Sequence, residues 1–392
     1  MLRSLYSGIS GLRSHQQMLD VTGNNIANVN TVGFKSSSTV FQDTLSQMTQ
    51  GAGGPQTGIG GTNPAQIGLG VQVAGVSTNF AQGSAQATGK ATDLMISGDG
   101  FFVTRLGNDT VYSRAGAFDF DADGRLVTAD GKIVQGYPAA NGVVNEGGQL
   151  TDIVLPLDAA APAVRTTTAG VTGNLPSETP VDGTRVREAT VYDAAGEKHT
   201  LSLTYTRTSP TQWSVEGRVD GGAPGTTTLT FGTDGKLTGG GTMTAGGIAV
   251  DMTQLTGYAS LDTASIASQD GSAAGSLQGY SISKDGTVVG TFSNGASLAV
   301  GRIALATFAN PAGLEKTGAS GYRATANSGN ATVGAPGDPG VGQLASGTLE
   351  MSNVDLSQEF TNLIVAQRGF QANARIITTS DEVLQELTNL KR

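Results

Sequence analysis

Cysteine is absent from this chain of 392 residues, which excludes disulfide bonds, thiolate metal sites and cysteine catalysis. Aromatic residues make up only 5% of the sequence and charged residues only 14%. No apolar run approaches the roughly 20 residues that a membrane-spanning helix needs. The formal charge of -9 argues against nucleic acids and anionic membrane surfaces as partners.

Catalytic motifs are also scarce. The chain has two histidines, His15 and His199, and it contains neither a GxSxG nor an HExxH motif nor a glycine-rich loop that ends in Gly-Lys-Ser/Thr. We therefore expect both histidines to be surface or interface residues, and we expect no catalytic residue, cofactor or metal site. The first residues lack the continuous apolar core and the cleavage pattern of a signal peptide, so no cleavable signal is expected.

The last stretch of the chain carries the clearest pattern. Residues 355–390 contain no proline, and seam positions recur there at alternating spacings of four and three, the period of a coiled coil. Asp355 is a suitable N-cap, and Lys391 and Arg392 stand at the negative end of the helix dipole. The seam positions are Leu356, Phe360, Leu363, Gln367, Phe370, Ala374, Ile377, Asp381 and Leu384.

The first stretch of the chain shows the same spacing, through Leu2, Leu5, Ile9, Leu12, Gln16, Leu19, Gly23 and Ile26. Four glycines weaken the two helices, each by up to about 1 kcal/mol relative to alanine; they are Gly8, Gly11, Gly23 and Gly369. Neither helix is expected to be stable alone. The apolar stripes are completed either by pairing within one molecule or by neighbouring copies, and the pattern favours neither. The predicted assembly seam consists of Leu2, Leu5, Ile9, Leu12, Leu19, Ile26, Leu356, Phe360, Leu363, Phe370, Ile377 and Leu384.

The residues between the ends predict β-structure. The 58 glycines show no collagen-like triplet, which indicates many turns and little helix. Residues 36–92 are rich in Ser, Thr, Gln and Gly, a composition typical of a flexible linker. From Asp93 onward short apolar alternations are separated by Gly-Asp, Asp-Gly and Asn-Gly turns. The clearest alternations are Leu201, Leu203 and Tyr205 in one strand and Trp213, Val215 and Val219 in the next.

One acidic spacing suggests a calcium loop. Asp119, Asp121, Asp123, Gly124 and Asp130 match positions 1, 3, 5, 6 and 12 of an EF-hand. Both flanks alternate like strands, however, whereas an EF-hand needs helices. An Asp-Gly hairpin turn is therefore favoured, and calcium binding remains the alternative.

Two terminal segments carry a family resemblance. VTGNNIANVNTVGFK, at residues 21–35, and SGTLEMSNVDLSQEF with the helix that follows it resemble the two end signatures of the bacterial flagellar axial (rod/hook) proteins. Asn24, Asn25, Asn28, Gly33 and Phe34 are the motif residues in the first segment. One departure is Gly369-Phe370, where alanine and tyrosine are expected. The resemblance implies that residues 36–92 become ordered between neighbouring subunits.

The resemblance also implies a structural subunit that assembles with other copies into a flexible, curved, hollow helical tube, which transmits motor torque to the filament. Within the family, the large central insertion favours a hook subunit over a distal rod subunit. The implied partners are the distal rod, the hook cap, the hook-filament junction proteins and the flagellar type III export apparatus. It implies a location outside the cell in the basal body and hook, with no membrane insertion. A secreted β-rich adhesin with a helical stalk is the alternative from another class.

The predicted fold is mixed and mainly β, with discontinuous inner and outer β-rich domains nested between terminal helices that form a coiled-coil domain. The predicted bounds are 1–30 and 350–392 for the helical assembly domain and 31–92 for the connecting segment. Residues 93–150 and 301–349 form the predicted inner β domain, and residues 151–300 form the outer one.

Overall fold

The computed structural model describes residues 2–55, 57–58, 60–156 and 161–389. The chain divides into two compact units. Unit 1 comprises Met1–Leu155, Ser281–Val289 and Ala299–Arg392, and unit 2 comprises Pro156–Tyr280 and Gly290–Leu298. The described chain is mainly β with one long helix towards each end, as the sequence predicts.

The two long helices are α1, Leu2–Ala27, and α2, Leu356–Asn389. The run of asparagines ends α1, because the Asn28 side chain turns back and donates to the carbonyl of Asn24 at 2.9 Å. Asp355 is the N-cap of α2, since its carboxylate accepts the backbone N–H groups of Ser357 at 2.8 Å and Gln358 at 3.3 Å. Lys391 and Arg392 lie outside the described residues. Neither these two helices nor any other described helix is long and apolar enough to cross a membrane.

The segment after α1 is a β-hairpin arm rather than an irregular linker. Its first and last strands, the outer pair, are antiparallel, as are the two strands between them, the inner pair, and most of their residues are exposed. An isolated two-stranded hairpin is marginal in water, so this arm depends on what it packs against. Its strands are Ser37–Asp43, Ser46–Gln50, Ala65–Gly68 and Val71–Thr78.

The rest of unit 1 is built on the large sheet, which has thirteen strands. Phe101–Leu106 lies near its centre and is apolar on both sides: Phe101 and Val103 pack into one core cluster, whereas Phe102 packs into another. Both faces of the sheet are therefore covered at this strand. The other strands of the sheet are Asp109–Ser113, Phe118–Phe120, Leu126–Thr128, Ile133–Val144, Thr151–Asp152, Leu277–Ile282, Thr287–Phe292, Ser297–Ile303, Leu305–Thr307, Glu315–Gly318, Gly321–Arg323 and Thr332–Gly334.

Two short strand pairs within unit 1 connect the segment before the large sheet with the segment before α2. Leu94–Ser97 pairs with Gln343–Ser346, and Ala85–Ala87 pairs with Thr348–Glu350, both antiparallel. A single 3-10 turn at Pro311–Gly313 forms within the ANPAGL segment.

Unit 2 is made of two sheets around its own core. The alternation predicted from the sequence is confirmed: Leu201, Leu203 and Tyr205 are fully buried, and Trp213 is 2% exposed. The five-stranded sheet consists of Thr184–Tyr192, Lys198–Ser209, Gln212–Val219, Gly225–Phe231 and Leu237–Gly239, and the four-stranded sheet consists of Thr168–Asn174, Thr242–Ala245, Ile248–Thr256 and Ser265–Gln269.

The units differ from the predicted bounds at three places. Residues 151–155, 281–289 and 299–300 belong to unit 1, although the sequence alone puts them in the outer domain. The reason is local, because Thr151–Asp152, Thr287–Phe292 and Ser297–Ile303 are members of the thirteen-stranded sheet. Alternation along a strand shows that a segment is extended but does not show which sheet it joins.

Candidate assembly surfaces

The two terminal helices pack against each other, antiparallel, within the chain. A Cβ built on Gly8 would lie 3.5 Å from side-chain atoms of Ile376 and Ile377. At the far end, the Asn25 side chain donates to the Glu359 carboxylate at 3.0 Å. Pairing within one molecule, one of the two alternatives for the helical stripes, is therefore what this structure shows.

The contact between the helices uses small and polar residues more than large apolar ones. In α1 the most buried positions are Gly8, Gly11, Ser14, Thr22 and Asn25, and in α2 they are Glu359 and Ala366. The apolar seam predicted from the heptad spacing is centred about one position away from this face. Small residues let two helix backbones approach closely. The large apolar side chains of the predicted seam therefore lie beside the contact or point away from it.

The predicted seam residues accordingly divide into two groups. Leu5, Leu12, Leu19, Ile26, Leu363, Phe370, Ile377 and Leu384 are half-buried, whereas Ile9, Leu356 and Phe360 are exposed. The side chain of Leu2 lies outside what the structure describes. Their role in assembly stays a prediction. The contact between the two helices of one chain does not cover Ile9, Leu356 and Phe360.

Three exposed apolar side chains follow one another on one face at the start of α2, and we call them the outer stripe. Leu356, Phe360 and Ile364 follow one another at spacings of four and are therefore neighbours on one face. They are 39%, 52% and 56% exposed. The other exposed apolar side chains of α2, which do not continue this face, are Val365, Ile376, Val383 and Leu387, each at least 41% exposed.

The hairpin arm exposes a second apolar surface. Leu45, between the two strand pairs of the arm, is 84% exposed, and Met48, on the first strand of the second pair, is 59% exposed. Monomeric soluble proteins rarely leave this much apolar surface in one element. The other exposed apolar side chains of the arm are Val40, Phe41, Ile67, Leu69 and Val76.

The family-motif residues fasten these elements together. Asn25 bonds to the arm in both directions, donating to the carbonyl of Ser37 at 2.7 Å and accepting its N–H at 3.0 Å. Gly33 has a φ of +67°, and a Cβ there would lie 2.4 Å from the backbone nitrogen of Ala115. Only glycine fits that conformation at that distance. Asn24 and Asn28 end α1, and Phe34 stacks under the ammonium of Lys316 at 5.4 Å.

A buried ion cluster lies beside this motif. Lys35 Nζ contacts Glu350 Oε1 at 2.6 Å and donates to the carbonyl of Ala81 at 2.8 Å, and neither charged side chain is exposed. Arg114, which is 3% exposed, reaches the other carboxylate oxygen at 3.5 Å. Burial lowers the pKa of Lys35, although Glu350 opposes the shift.

Sequence reasoning missed this cluster. Lys35 and Glu350 each lie inside one of the two terminal signatures, so their presence in both was an available signal. Arg114 stands in a stretch with no motif, and nothing in the sequence distinguishes it from a surface arginine.

The acidic loop at residues 119–130 is a hairpin turn. Phe118–Phe120 and Leu126–Thr128 pair antiparallel on its two sides, which confirms the favoured interpretation of the backbone. Its carboxylates are engaged by cations of the chain rather than converging on one point. The pairs are Arg125 with Asp121 and Asp123, each at 2.7 Å, Lys90 with Asp119 at 3.0 Å, and Lys132 with Asp130 at 2.5 Å.

The two histidines have different surroundings. His15 lies on α1 with its ring 5.8 Å from that of Phe41. His199, in unit 2, bonds through Nδ1 to the Asp220 carboxylate, and its Nε2 lies 3.8 Å from Asp193. Asp193, Glu197 and His199 place one possible ligand atom each within 4.8 Å of one another. All three are at least partly exposed, and Nδ1 of His199 already forms a hydrogen bond with the Asp220 carboxylate.

A nested β chain whose two ends pair as helices, with apolar side chains turned outward, defines a class of self-associating structural subunits. Four family models match in chain order: "Flagella basal body rod protein" at residues 5–35, "Flagellar hook protein FlgE/F/G D1 domain" at 95–171, "Flagellar basal body protein FlaE D2 domain" at 156–277, and "Flagellar basal body rod FlgEFG protein C-terminal" at 345–390.

Relatives match over the whole length. The flagellar hook protein FlgE of Borreliella burgdorferi is 38% identical, with 100% of each chain covered. FlgE of Salmonella typhimurium is 36% identical, with 99% of this chain and 100% of the relative covered. The flagellar basal-body rod protein FlgG of Bacillus subtilis is 37% identical, again with 100% of each covered. The chain belongs to the flagellar hook protein FlgE family.

One solved structure is also similar. The crystal structure of Helicobacter pylori flagellar hook protein FlgE2 matches with a TM-score of 0.48 and 17% identity, covering 68% of this chain and 100% of that one.

Proposed function

We propose that this chain is the structural subunit of a bacterial flagellar hook and that copies of it polymerise helically into a flexible tube that transmits motor torque to the filament. The observation that carries the proposal is the placement of the apolar side chains. The terminal helices pack against each other mainly through small and polar residues. This packing leaves the apolar side chains of the outer stripe and of the arm exposed. Full-length relatives named as hook proteins support the same assignment, and they do not favour an adhesin.

The free energy of assembly comes from covering these surfaces. A large apolar side chain contributes roughly 1.5–3 kcal/mol when it passes from exposed to fully buried. Leu356, Phe360 and Ile364 are each already partly covered, so each contributes only part of that amount, and ordering entropy offsets some of it. Assembly is therefore expected to be cooperative, since no single contact is sufficient.

We propose that the same surfaces also bind the proteins at the two ends of the tube. We propose that the distal rod, the hook cap and the hook-filament junction proteins present matching helices to the outer stripe. We further propose export through the flagellar type III apparatus. The family assignment supports these partners, and residues 93–150 with 301–349 and residues 151–300 are proposed to be the inner and outer domains of the assembled subunit.

The test is a pair of substitutions on the outer stripe. Phe360→Asp with Ile364→Asp should leave the thermal unfolding of the chain unchanged, because both side chains are more than half exposed. The same variant should form no tubes when polymerisation is driven by ammonium sulfate, which strengthens apolar burial, and is observed by electron microscopy. The control is Gln371→Asp with Thr378→Asp, which adds the same charge at exposed polar positions of α2. Tubes from the Phe360/Ile364 variant, formed at the wild-type concentration, would contradict the proposal.

A further inference from the structure

The helix pair is held by two contacts of the same kind, arranged in opposite directions. In α1, Gly11 precedes His15 by four residues, and in α2, Gly369 precedes Asn373 by four residues. The imidazole of His15 covers Gly369, and the amide of Asn373 covers Gly11. Each helix thus contributes one glycine and one polar side chain that covers the other helix's glycine.

Both contacts leave no room for a side chain at the glycine. A Cβ built on Gly369 would lie 2.5 Å from His15 Cε1 and Nε2. A Cβ on Gly11 would lie 2.6 Å from Asn373 Oδ1. Real Cβ atoms do not approach other heavy atoms this closely, so alanine at either position must displace the side chain above it.

Neighbouring groups hold both covering side chains in place. Asn373 donates from Nδ2 to the carbonyl of Gly369 at 2.8 Å, which links the two contacts. The His15 ring is confined by Phe41 of the arm. Its Nδ1 atom is buried and has no hydrogen-bond partner among the described residues. Burying an unpaired nitrogen is unfavourable, so a ring that was free to turn outward would expose this atom to water.

We propose that these reciprocal contacts, His15 on Gly369 and Asn373 on Gly11, set the register of the terminal helices and so decide which side chains face outward. Consider a slip of one helical turn. In one direction His15 would stand opposite Asn373, so that two bulky groups collide. In the other direction Gly11 would stand opposite Gly369, leaving a void between the backbones. Both slips are unfavourable, whereas a plain apolar stripe tolerates them far better.

Glycine at position 369 is what these contacts require. Alanine there is incompatible with the observed position of His15, so histidine and glycine form a matched pair in this chain. The claim that the register presents the outer stripe for assembly rests on the proposed function. The claim about the register itself does not.

The absence of cysteine allows the register to be measured directly. Gly8→Cys with Ile376→Cys reports the observed pairing, because a Cβ on Gly8 lies 3.5 Å from Ile376 Cγ2. Gly8→Cys with Ala372→Cys reports the slip of one turn in which Gly11 would stand opposite Gly369. The rates of intrachain disulfide formation are compared in the dilute full-length chain, with Gly369→Ala and then His15→Ala added to each pair.

The observed pairing should crosslink at least about 10-fold faster than the slipped one, which corresponds to about 1.4 kcal/mol. Gly369→Ala should reduce this preference to within about 2-fold, and adding His15→Ala should restore most of it, as expected for two coupled residues. Gly23→Ala is the matched control and should change nothing, because a Cβ at Gly23 meets no described atom within 4 Å.

Three results would overturn the inference: equal rates for the two pairings, an unchanged preference in Gly369→Ala, or no recovery when His15→Ala is added. None of them depends on polymerisation, so failure of the register contacts is distinguishable from failure of the hook assignment. That assignment is tested separately by tube formation.

Discussion

At the scale of single residues, Glu350 joins more separate segments of unit 1 than its neighbours do. Its carboxylate is fully buried and faces two cations, Lys35 and Arg114, while also accepting the backbone N–H of Gly83 at 2.9 Å. A buried charge that loses its partner is far more costly than the pair itself is favourable. The cluster therefore fastens the first signature of the sequence to the second.

We predict that Glu350→Gln lowers the free energy of unfolding by about 3–5 kcal/mol, because it leaves two buried cations with a neutral amide. Urea denaturation followed by far-UV circular dichroism measures the change. The control is Asp119→Asn, which breaks the exposed pair with Lys90 and should change stability far less, because solvent screens exposed pairs. Similar losses in the two variants would mean that burial of the cluster is unimportant.

The surroundings of His199 predict a pH dependence in unit 2. The hydrogen bond with Asp220 raises the pKa of His199 above its usual 6.5. The N–H of Thr200, followed by His199, holds the pKa of Asp220 below its usual 3.8. The histidine therefore contributes stability that is fully present below pH 6.5 and lost as pH rises through its higher folded pKa. The carboxylate contributes stability that is present above pH 3.8 and lost on acidification.

Asp220→Asn should accordingly lower the Tm of unit 2 most between pH 4 and 6.5, the window set by those two usual pKa values. The difference from wild type should shrink as pH is raised from 6 to 9. Asp234→Asn, which removes a carboxylate that caps the turn before Lys236, is the control and should give a difference without this trend. A Tm gap for Asp220→Asn that is constant with pH would refute the assignment.

Only some of the single-residue features could be predicted from the sequence. The cap at Asp355 and the buried strand residues around Tyr205 follow from local pattern, and the structure confirms them. The burial of Lys35 and Arg114 does not follow, because a charged residue carries no local sign of the partner it meets far along the chain.

At the scale of elements, the helices and the arm illustrate two different outcomes. Both helices are evident from their periodicity, but that period identifies only the apolar stripe. The contact face is set instead by glycines, which a hydrophobic pattern counts as defects. The arm was missed as an element because its Ser, Thr, Gln and Gly composition is typical of a linker.

The arm also gives a prediction. Leu45→Ser, Met48→Ser and Ile67→Ser together should leave the Tm of the soluble chain within about 1 °C, because exposed apolar residues contribute little to folding. Their exposures are 84%, 59% and 49%. Tube formation should be strongly impaired, as measured by the protein concentration at which tubes first appear.

The matched control for the arm is Gln47→Ser with Gln66→Ser, two exposed polar residues on the same inner strands. It should assemble like the wild type. A large drop in Tm for the apolar variant would instead mean that these side chains stabilise the single chain.

At the scale of the whole molecule, the nested order of the chain was predictable from its two matching ends and the change of character near residue 300. Among the described residues, the buried side chains of the unit 2 core all lie between Ala169 and Ala264. This core is therefore complete without contributions from unit 1, and unit 2 should unfold as a separate cooperative block.

The single tryptophan makes this testable, since Trp213 is 2% exposed and belongs to that core. In the full chain, the fluorescence transition in urea should coincide with that of a fragment comprising residues 161–276. The helical signal near 222 nm, which reports α1 and α2, should follow a different transition. Coincidence of the fluorescence and helical transitions in the full chain, together with an unfolded fragment, would show one cooperative block instead.

The contacts between the two ends also determine when the chain can finish folding. Lys35 and Glu350 are 315 positions apart, and Asn25 and Glu359 are 334 apart. Contacts so distant in sequence form only after the intervening loop has closed, which makes them the slowest to appear. The β units can be native while the ends are still open. A chain cut short before Glu350 would hold folded β domains but could never bring its first helix to a partner. Only a finished copy can therefore pair its two terminal helices.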